Sequence, residues 1–314
     1  MTHPSPPPLT IPVGEPQAIR VGRRRVVALV EAVGPALPAR ATYPGLDADS
    51  LTALLAATGS PATSTPYLHM ASQGFAILGA GRIIIVDTGL GGPKPGRPRP
   101  RPGLDSRWLH TAAQAGIDPA DVDTVINTHL HHDHVGWNTT MTGTRLRPTF
   151  PAAQYLNTAP EYVHATARPQ RHVHDSVLPL DAAGQLHRCP PGYRLDDEVR
   201  LVPAPGHTPG HTLVEITSHD ERLVLAGDLI HHPLQLRRPD LGTSLCTDAD
   251  QAGQTRRAIL DRYADTNTLM LASHLPTGGH LHRDGTGYRI QPVPARTRKG
   301  PVVSGEARRS TNDD

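Results

Sequence analysis

Cysteine is nearly absent from this 314-residue chain, which carries only Cys189 and Cys246. Two cysteines cannot build a disulfide framework, and two free thiols in a reducing compartment are the expected state. Aromatic residues make up 4%, too few for a large stacking pocket. Lysine occurs only at Lys94 and Lys299, and the other basic residues are arginine, a coding bias without functional content. The formal net charge is +2, so no excess of one sign recommends nucleic acid or an anionic membrane as a partner. No apolar run approaches a membrane span, and Met1-Thr2-His3-Pro4 does not open a basic-then-apolar secretion signal. A cytoplasmic location is the expectation.

Organisation follows from local pattern. Residues 1–16 are Pro-rich and read as a flexible arm, residues 17–295 as a single domain, and residues 296–314, without apolar periodicity, as a disordered tail. A two-strand opening is expected over Ala18 to Val33, and further strands over Gly74 to Leu78 and Arg82 to Val86. The run Ile83-Ile84-Ile85-Val86 is apolar and β-branched throughout, the pattern of a strand buried on both faces. Helices are predicted over Asp47 to Ala57, with Asp49 or Ser50 as N-cap, over the Leu104–Trp108–Ala112–Ala115 face ended by Gly116, and over Ala249 to Ala264. Pro93 to Gly103, rich in Pro and Arg, reads as a solvated surface loop. Short strands are expected at Asp123 to Thr128, Glu198 to Ala204, Thr212 to Thr217, Arg222 to Ala226 and Thr268 to Ala272. The alternation of strands and helices indicates a layered α/β protein.

Histidine is what the chain has in excess: 19 residues. The count alone proves nothing, since histidine is also a common surface residue, but the spacing is informative. Four predicted strands run directly into potential metal ligands: His129, His131, Asp133 and His134 after the first, His207 after the second, Asp228 after the third and His274 after the fourth. Strand ends of α/β sheets are where ligand-binding loops gather. Alternate side chains of an extended turn point the same way, so His129 and His131 can meet one ion, while Asp133 and His134 face a second and Leu130 and His132 point elsewhere. Imidazole and carboxylate donors without thiolate suit Zn²⁺, with Fe or Mn as alternatives.

The run Thr128-His129-Leu130-His131-His132-Asp133-His134-Val135-Gly136 resembles the central motif of the metallo-β-lactamase superfamily. Val86-Asp87-Thr88-Gly89, Gly206-His207-Thr208-Pro209-Gly210-His211, Gly227-Asp228 and Ser273-His274 follow its supporting motifs in order. The resemblance implies an αββα four-layer sandwich. It implies one metal on His129, His131 and His207, a second on Asp133, His134 and His274, and Asp228 bridging them. Asp87 would orient the ligand loops, and His211 would be structural. Two ions sharing a water would generate a hydroxide that attacks an ester or lactone of a small molecule, with Asp133 or Asp228 as proton acceptor.

The branch is narrowed by departures. A cysteine ligand is missing at Asp228, against the zinc β-lactamases of that type, and His131 stands where the flavo-diiron branch has Glu, against iron redox chemistry. No ligand is lost, against a silent binding protein. The remaining resemblance is to the lactonase and methyl-parathion-hydrolase-like branch, which keeps phosphotriesters and β-lactams as alternative substrates and in which homodimers are common. Lactonases of this branch commonly carry tyrosine three residues after the bridging aspartate, where this chain has His231. His231 and His232 are therefore candidates for facing the substrate, together with Trp137, Asn138 and the loop around Thr277.

Overall fold

The computed structural model describes residues 18–58, 67–96 and 107–293. The expected arm, the expected tail and Leu104 lie outside the described residues. The first sheet is built from β1 (Ala18–Val21), β2 (Arg24–Pro38), β3 (Tyr67–Gly79), β4 (Arg82–Val86) and β5 (Thr124–Ile126). After a hairpin of β6 (Thr139–Thr142) and β7 (Arg145–Pro148), it is completed by β8 (Gln154–Thr158) and β9 (Leu186–Cys189). The second sheet comprises β10 (Val199–Pro203), β11 (Thr212–Ser218), β12 (Glu221–Leu225), β13 (Thr268–Leu271), β14 (Gly279–Asp284) and β15 (Gly287–Pro292). Strand order is β1-β2-β3-β4-β5-β8-β9 in the seven-stranded sheet and β10 through β15 in sequence in the six-stranded one.

Residue alternation makes the layers. Val26, Ile84, Ile126 and Leu156 face inward with Leu201, Val214, Leu223 and Leu271 of the other sheet, forming the core between the sheets. Their chain neighbours Val27, Ile85, Val125 and Tyr155 face outward and pack with Trp108 and Ala112 of the helix Arg107–Gln114. On the far side Val202, Leu213, Val224 and Met270 pack with Ile259, Leu260 and Tyr263 of the helix Ala249–Tyr263. Both faces of each central strand are thus covered, which is why Ile83–Val86 contains no polar residue. The result is the αββα sandwich expected from the motifs.

Direction matters more than strand count for function. β4, β5, β8 and β9 are mutually parallel. β10 and β12 are each antiparallel to β11, and β13 is parallel to β12. The carboxyl ends of β10, β12 and β13 therefore share one edge of their sheet, as those of β4, β5 and β8 share one edge of the other. Hydrogen bonds from Thr212 N to Thr128 O (2.9 Å) and from Ala71 N to His274 O (2.9 Å) tie the two edges together.

Two local expectations are corrected. Asp47, outside the predicted pair, caps the helix Ala48–Ala57, its Oδ1 accepting from Ser50 N at 2.8 Å. β3 begins at Tyr67, well before Gly74, because its long pairing with β2 continues past a bulge at Val30/Ala32. No helix among the described residues is long and apolar enough to cross a membrane.

Candidate metal centre

Two backbone features shape the loops before any ligand is placed. Gly136 follows the ligand run, and a Cβ there would overlap the backbone of Leu90 and Gly91. This close approach brings the loop after β4 against the loop after β5. Gly227 has φ +51°, which turns the chain out of β12 directly into Asp228.

The donors then meet. His207 Nε2 lies 3.2 Å from His129 Nε2 and 2.9 Å from His131 Nδ1, and the latter two are 3.0 Å apart. Around the Asp228 carboxylate, Oδ2 is 3.1 Å from His274 Nε2, 3.3 Å from His207 Nε2 and 3.6 Å from His129 Nε2. Oδ1 is 3.1 Å from His134 Nε2. Asp133 Oδ2 is 3.6 Å from His274 Nε2 and 3.8 Å from His134 Nε2. Metal–ligand bonds of about 2.0–2.2 Å at tetrahedral to octahedral angles place neighbouring donors about 2.8–3.6 Å apart. His134 Nε2 and Asp228 Oδ1 are buried and face each other at 3.1 Å. The donor set fits a pair of divalent ions, one among His129, His131, His207 and Asp228 and one beside Asp133, His134 and His274.

Protonation agrees with that division. Burial holds His129 well below its ordinary pKa, and pushes His131 and His207 down to about 3. Their rings are neutral at pH 7, with lone pairs available. Burial also opposes charge on His274, but Asp228 and Asp133 outweigh it and raise its pKa to about 9. His134 is likewise raised despite burial, by Asp228 and Asp87. For Asp228, burial is outweighed by His134, His274 and His129, which hold it well below the usual carboxylate range. His134 and His274 thus hold the positive charge that a cation would displace.

Each ligand is oriented from behind. Asp87 Oδ1 accepts from Thr128 N (2.8 Å) and its Oδ2 from Thr128 Oγ1 (2.8 Å) and His134 Nδ1 (2.8 Å). His129 Nδ1 donates to Thr128 Oγ1 (3.1 Å), and His274 Nδ1 to Ala71 O (2.9 Å). His207 Nδ1 lies 3.7 Å from Cys246 Sγ. His211 donates from Nδ1 to Ala204 O (3.0 Å), and its Nε2 accepts from Asp228 N (3.0 Å), so it braces the bridging residue and has no free nitrogen for metal.

The substrate-facing candidates divide. His231 is brought into the cluster, its Nε2 3.3 Å from Asp228 Oδ2. His232 is not: its Nδ1 accepts from Leu234 N (3.3 Å), and its ring neighbours His69 rather than the ligands. Trp137 packs into the outer core with Trp108 and Phe150. Asn138 spends its amide on Asn127 (2.9 Å) and Thr88 (3.0 Å), so both residues stand behind the ligand loops. Thr277 is exposed. Within the ligand run, His132 is 66% exposed while Leu130 packs with Val135, Val173 and Val177.

Two buried acids escape sequence reading because they lie outside every motif. Glu161, near the start of the helix Ala159–Ala167, accepts from Leu130 N (2.9 Å) and Gly210 N (3.1 Å). It straps a ligand loop of one sheet to a ligand loop of the other. Glu31, at the β2 bulge, accepts from Leu90 N (2.8 Å) and Ser72 Oγ (3.3 Å). Burial raises its pKa from 4.5 to about 8. The folded protein therefore keeps a proton between pH 4.5 and 8 that the unfolded chain releases, and stability falls as pH rises through that window. At pH 7 the loss is roughly 3 kcal/mol. Glu31→Gln is expected to flatten this slope and to be more stable than wild type at pH 8, read from urea midpoints at pH 5, 6.5 and 8. Parallel pH profiles for the two proteins would refute the assignment.

The fold and the site together define an α/β sandwich with a cluster of metal-ligating side chains at the joined edges of its sheets. The family model described as metallo-beta-lactamase superfamily matches residues 71–274, and the chain belongs to that superfamily. The N-acyl homoserine lactonase of Bacillus cereus is 27% identical over 157 residues, covering 45% of this chain and 56% of that protein. The N-acyl homoserine lactonase AiiA of Bacillus thuringiensis subsp. kurstaki matches to the same extent. The chain thus spans about half the length of the curated relatives it matches. Among solved structures, AidC, a dizinc quorum-quenching lactonase in complex with a product, superposes with a TM-score of 0.74 at 24% identity, covering 89% of this chain and 98% of that one. The hydrolase AbOPH superposes with a TM-score of 0.77 at 22% identity, covering 90% and 99%. At these identities the two structures speak to the fold.

Proposed function

We propose that this protein is a dinuclear metal-dependent hydrolase that opens an ester or lactone of a small molecule. The observation that carries the proposal is the convergence of His129, His131, His207, Asp133, His134, His274 and Asp228, with inward atoms 2.9–3.8 Å from their neighbours. We assign the first three to one ion, Asp133, His134 and His274 to the other, and Asp228 to both. Zinc is the proposed metal, since neutral imidazoles and carboxylates without thiolate suit it. When bound, such a pair supplies a hydroxide nucleophile at neutral pH and polarises a carbonyl oxygen. The relatives named as N-acyl homoserine lactonases support a lactone among the candidate substrates. The two free thiols fit a reducing compartment, and we place the protein in the cytoplasm.

The chain's own groups supply the rest. Asp133 is 18% exposed against 4% for Asp228. It is therefore the carboxylate able to exchange a proton with a leaving group. Its Oδ1 lies 3.5 Å from Nδ1 of exposed His132, which offers that proton a way to solvent. Asp87 and Glu161 keep the ligand loops in register.

The test is a panel of acyl homoserine lactones, aryl esters, phosphotriesters and β-lactams, with metal content measured by elemental analysis. The expected outcome is two zinc ions per chain and a higher kcat/KM for lactones or esters than for the other classes. Preference for a phosphotriester or β-lactam would move the substrate within the same chemistry. Iron with oxygen consumption would overturn the hydrolase reading.

A further inference from the structure

The seven ligands assigned above leave one inward-facing donor unused. His231 is completely buried; its Nε2 faces Asp228 Oδ2 at 3.3 Å, and its Nδ1 has no hydrogen-bond partner among the described residues. The ring is held where it is by the chain. His231 N donates to Gln235 Oε1 (2.8 Å), whose Nε2 donates to Leu241 O (3.0 Å), and the imidazole stacks on His274 at 5.5 Å and 13°.

His231 Nε2 lies 3.3 Å from Asp228 Oδ2, the same distance as His207 Nε2, one of the assigned ligands. That spacing is an edge of a coordination polyhedron when a cation sits between the atoms and a long hydrogen bond when none does. Asp228, His231 and His274 each offer one atom within 4.8 Å of the others, the same criterion that groups His129, His131, His207 and Asp228.

We propose that His231 is an eighth protein ligand, adding Nε2 to the ion that Asp228 and His274 share. The inference rests on the dinuclear reading above and makes the two positions unequal. One has three imidazoles and the shared carboxylate. The other gains a donor beyond its own carboxylate and imidazole ligands, a set that fits a five-coordinate ion, Zn²⁺ included.

The test is Co²⁺ titration of the full-length, metal-stripped protein, reading equivalents bound by equilibrium dialysis and the visible d–d absorption per ion. Wild type is expected to bind two equivalents, one of them with the weak absorption of a five-coordinate site. His231→Ala is expected to bind the second equivalent at least about 10–100-fold more weakly, or with absorption strengthened toward a four-coordinate spectrum. His231→Gln, closer in volume, carries the same reading if the alanine variant does not fold. His232→Ala is the control and is expected to match wild type in both readouts. Two equivalents with wild-type affinity and spectrum in folded His231 variants would overturn this proposal alone. Fewer than two equivalents in wild type would overturn the dinuclear reading beneath it.

Discussion

Replacing Asp228 by alanine is expected to lower bound metal from two ions to one or none per chain and to abolish hydrolysis. The carboxylate stands between the two halves of the site, with Oδ1 3.1 Å from His134 and Oδ2 3.1 Å from His274 and 3.3 Å from His207. Removing a partner that merely orients a ligand weakens metal binding roughly 10–100-fold. Loss of a shared ligand should exceed that, so kcat/KM is expected to fall by more than about 100-fold even at high zinc. The fold should survive, because the bond that places this turn runs from Asp228 N to His211 Nε2 and does not use the carboxylate. Elemental analysis and hydrolysis of the best panel substrate check both parts. Two ions and near-normal turnover in a folded Asp228→Ala protein would refute the site.

Glu161→Ala is expected to lower stability strongly although the residue is not one of the assigned ligands. Its carboxylate is the hydrogen-bond acceptor for Leu130 N at 2.9 Å and Gly210 N at 3.1 Å, and the residue is buried. Truncation leaves two buried N–H groups unpaired, at about 1–3 kcal/mol each. The expected loss is roughly 2–5 kcal/mol in denaturant unfolding. Because the bonds join loops from opposite sheets, zinc affinity should fall as well, by about 10–100-fold. Glu161→Gln keeps one acceptor oxygen and should lie between the two. Wild-type stability and zinc affinity in the alanine variant would show that the strap carries no load.

The central strands were readable because they are covered on both faces. Ile83–Val86 and Leu223–Ala226 are continuous apolar runs, and β4 and β12 fall within a residue or so of the strands expected over Arg82 to Val86 and Arg222 to Ala226. The short strands β8, β9, β14 and β15 were not readable. Several have mixed burial, such as the half-exposed Leu186–His187–Arg188 of β9, so they carry no clear period. The N-cap shows the same limit: Asp47, Asp49 and Ser50 all stand at the start of this helix, and only the backbone geometry selects Asp47.

For the candidate site, the order His129, His131, Asp133, His134, His207, Asp228 and His274 is legible in the sequence. Each residue directly follows an apolar strand, and a strand must end where its loop begins. What sequence alone determined is therefore the family motif, the two-sheet architecture and this ordered donor set. Tertiary structure decided which neighbours share a face. It packs His232, Trp137 and Asn138 away from the ligand cluster and sets His231 beside it. It also placed Glu31 and Glu161, from distant strand and helix positions, behind the loops. The physical reason is that adjacency along a chain sets only the order of side chains, whereas contact depends on strand direction and on how two sheets pack. Here the parallel strands send their carboxyl ends to one edge, and cross-sheet bonds such as Thr212 N to Thr128 O and Glu161 to Gly210 N lock those ends together.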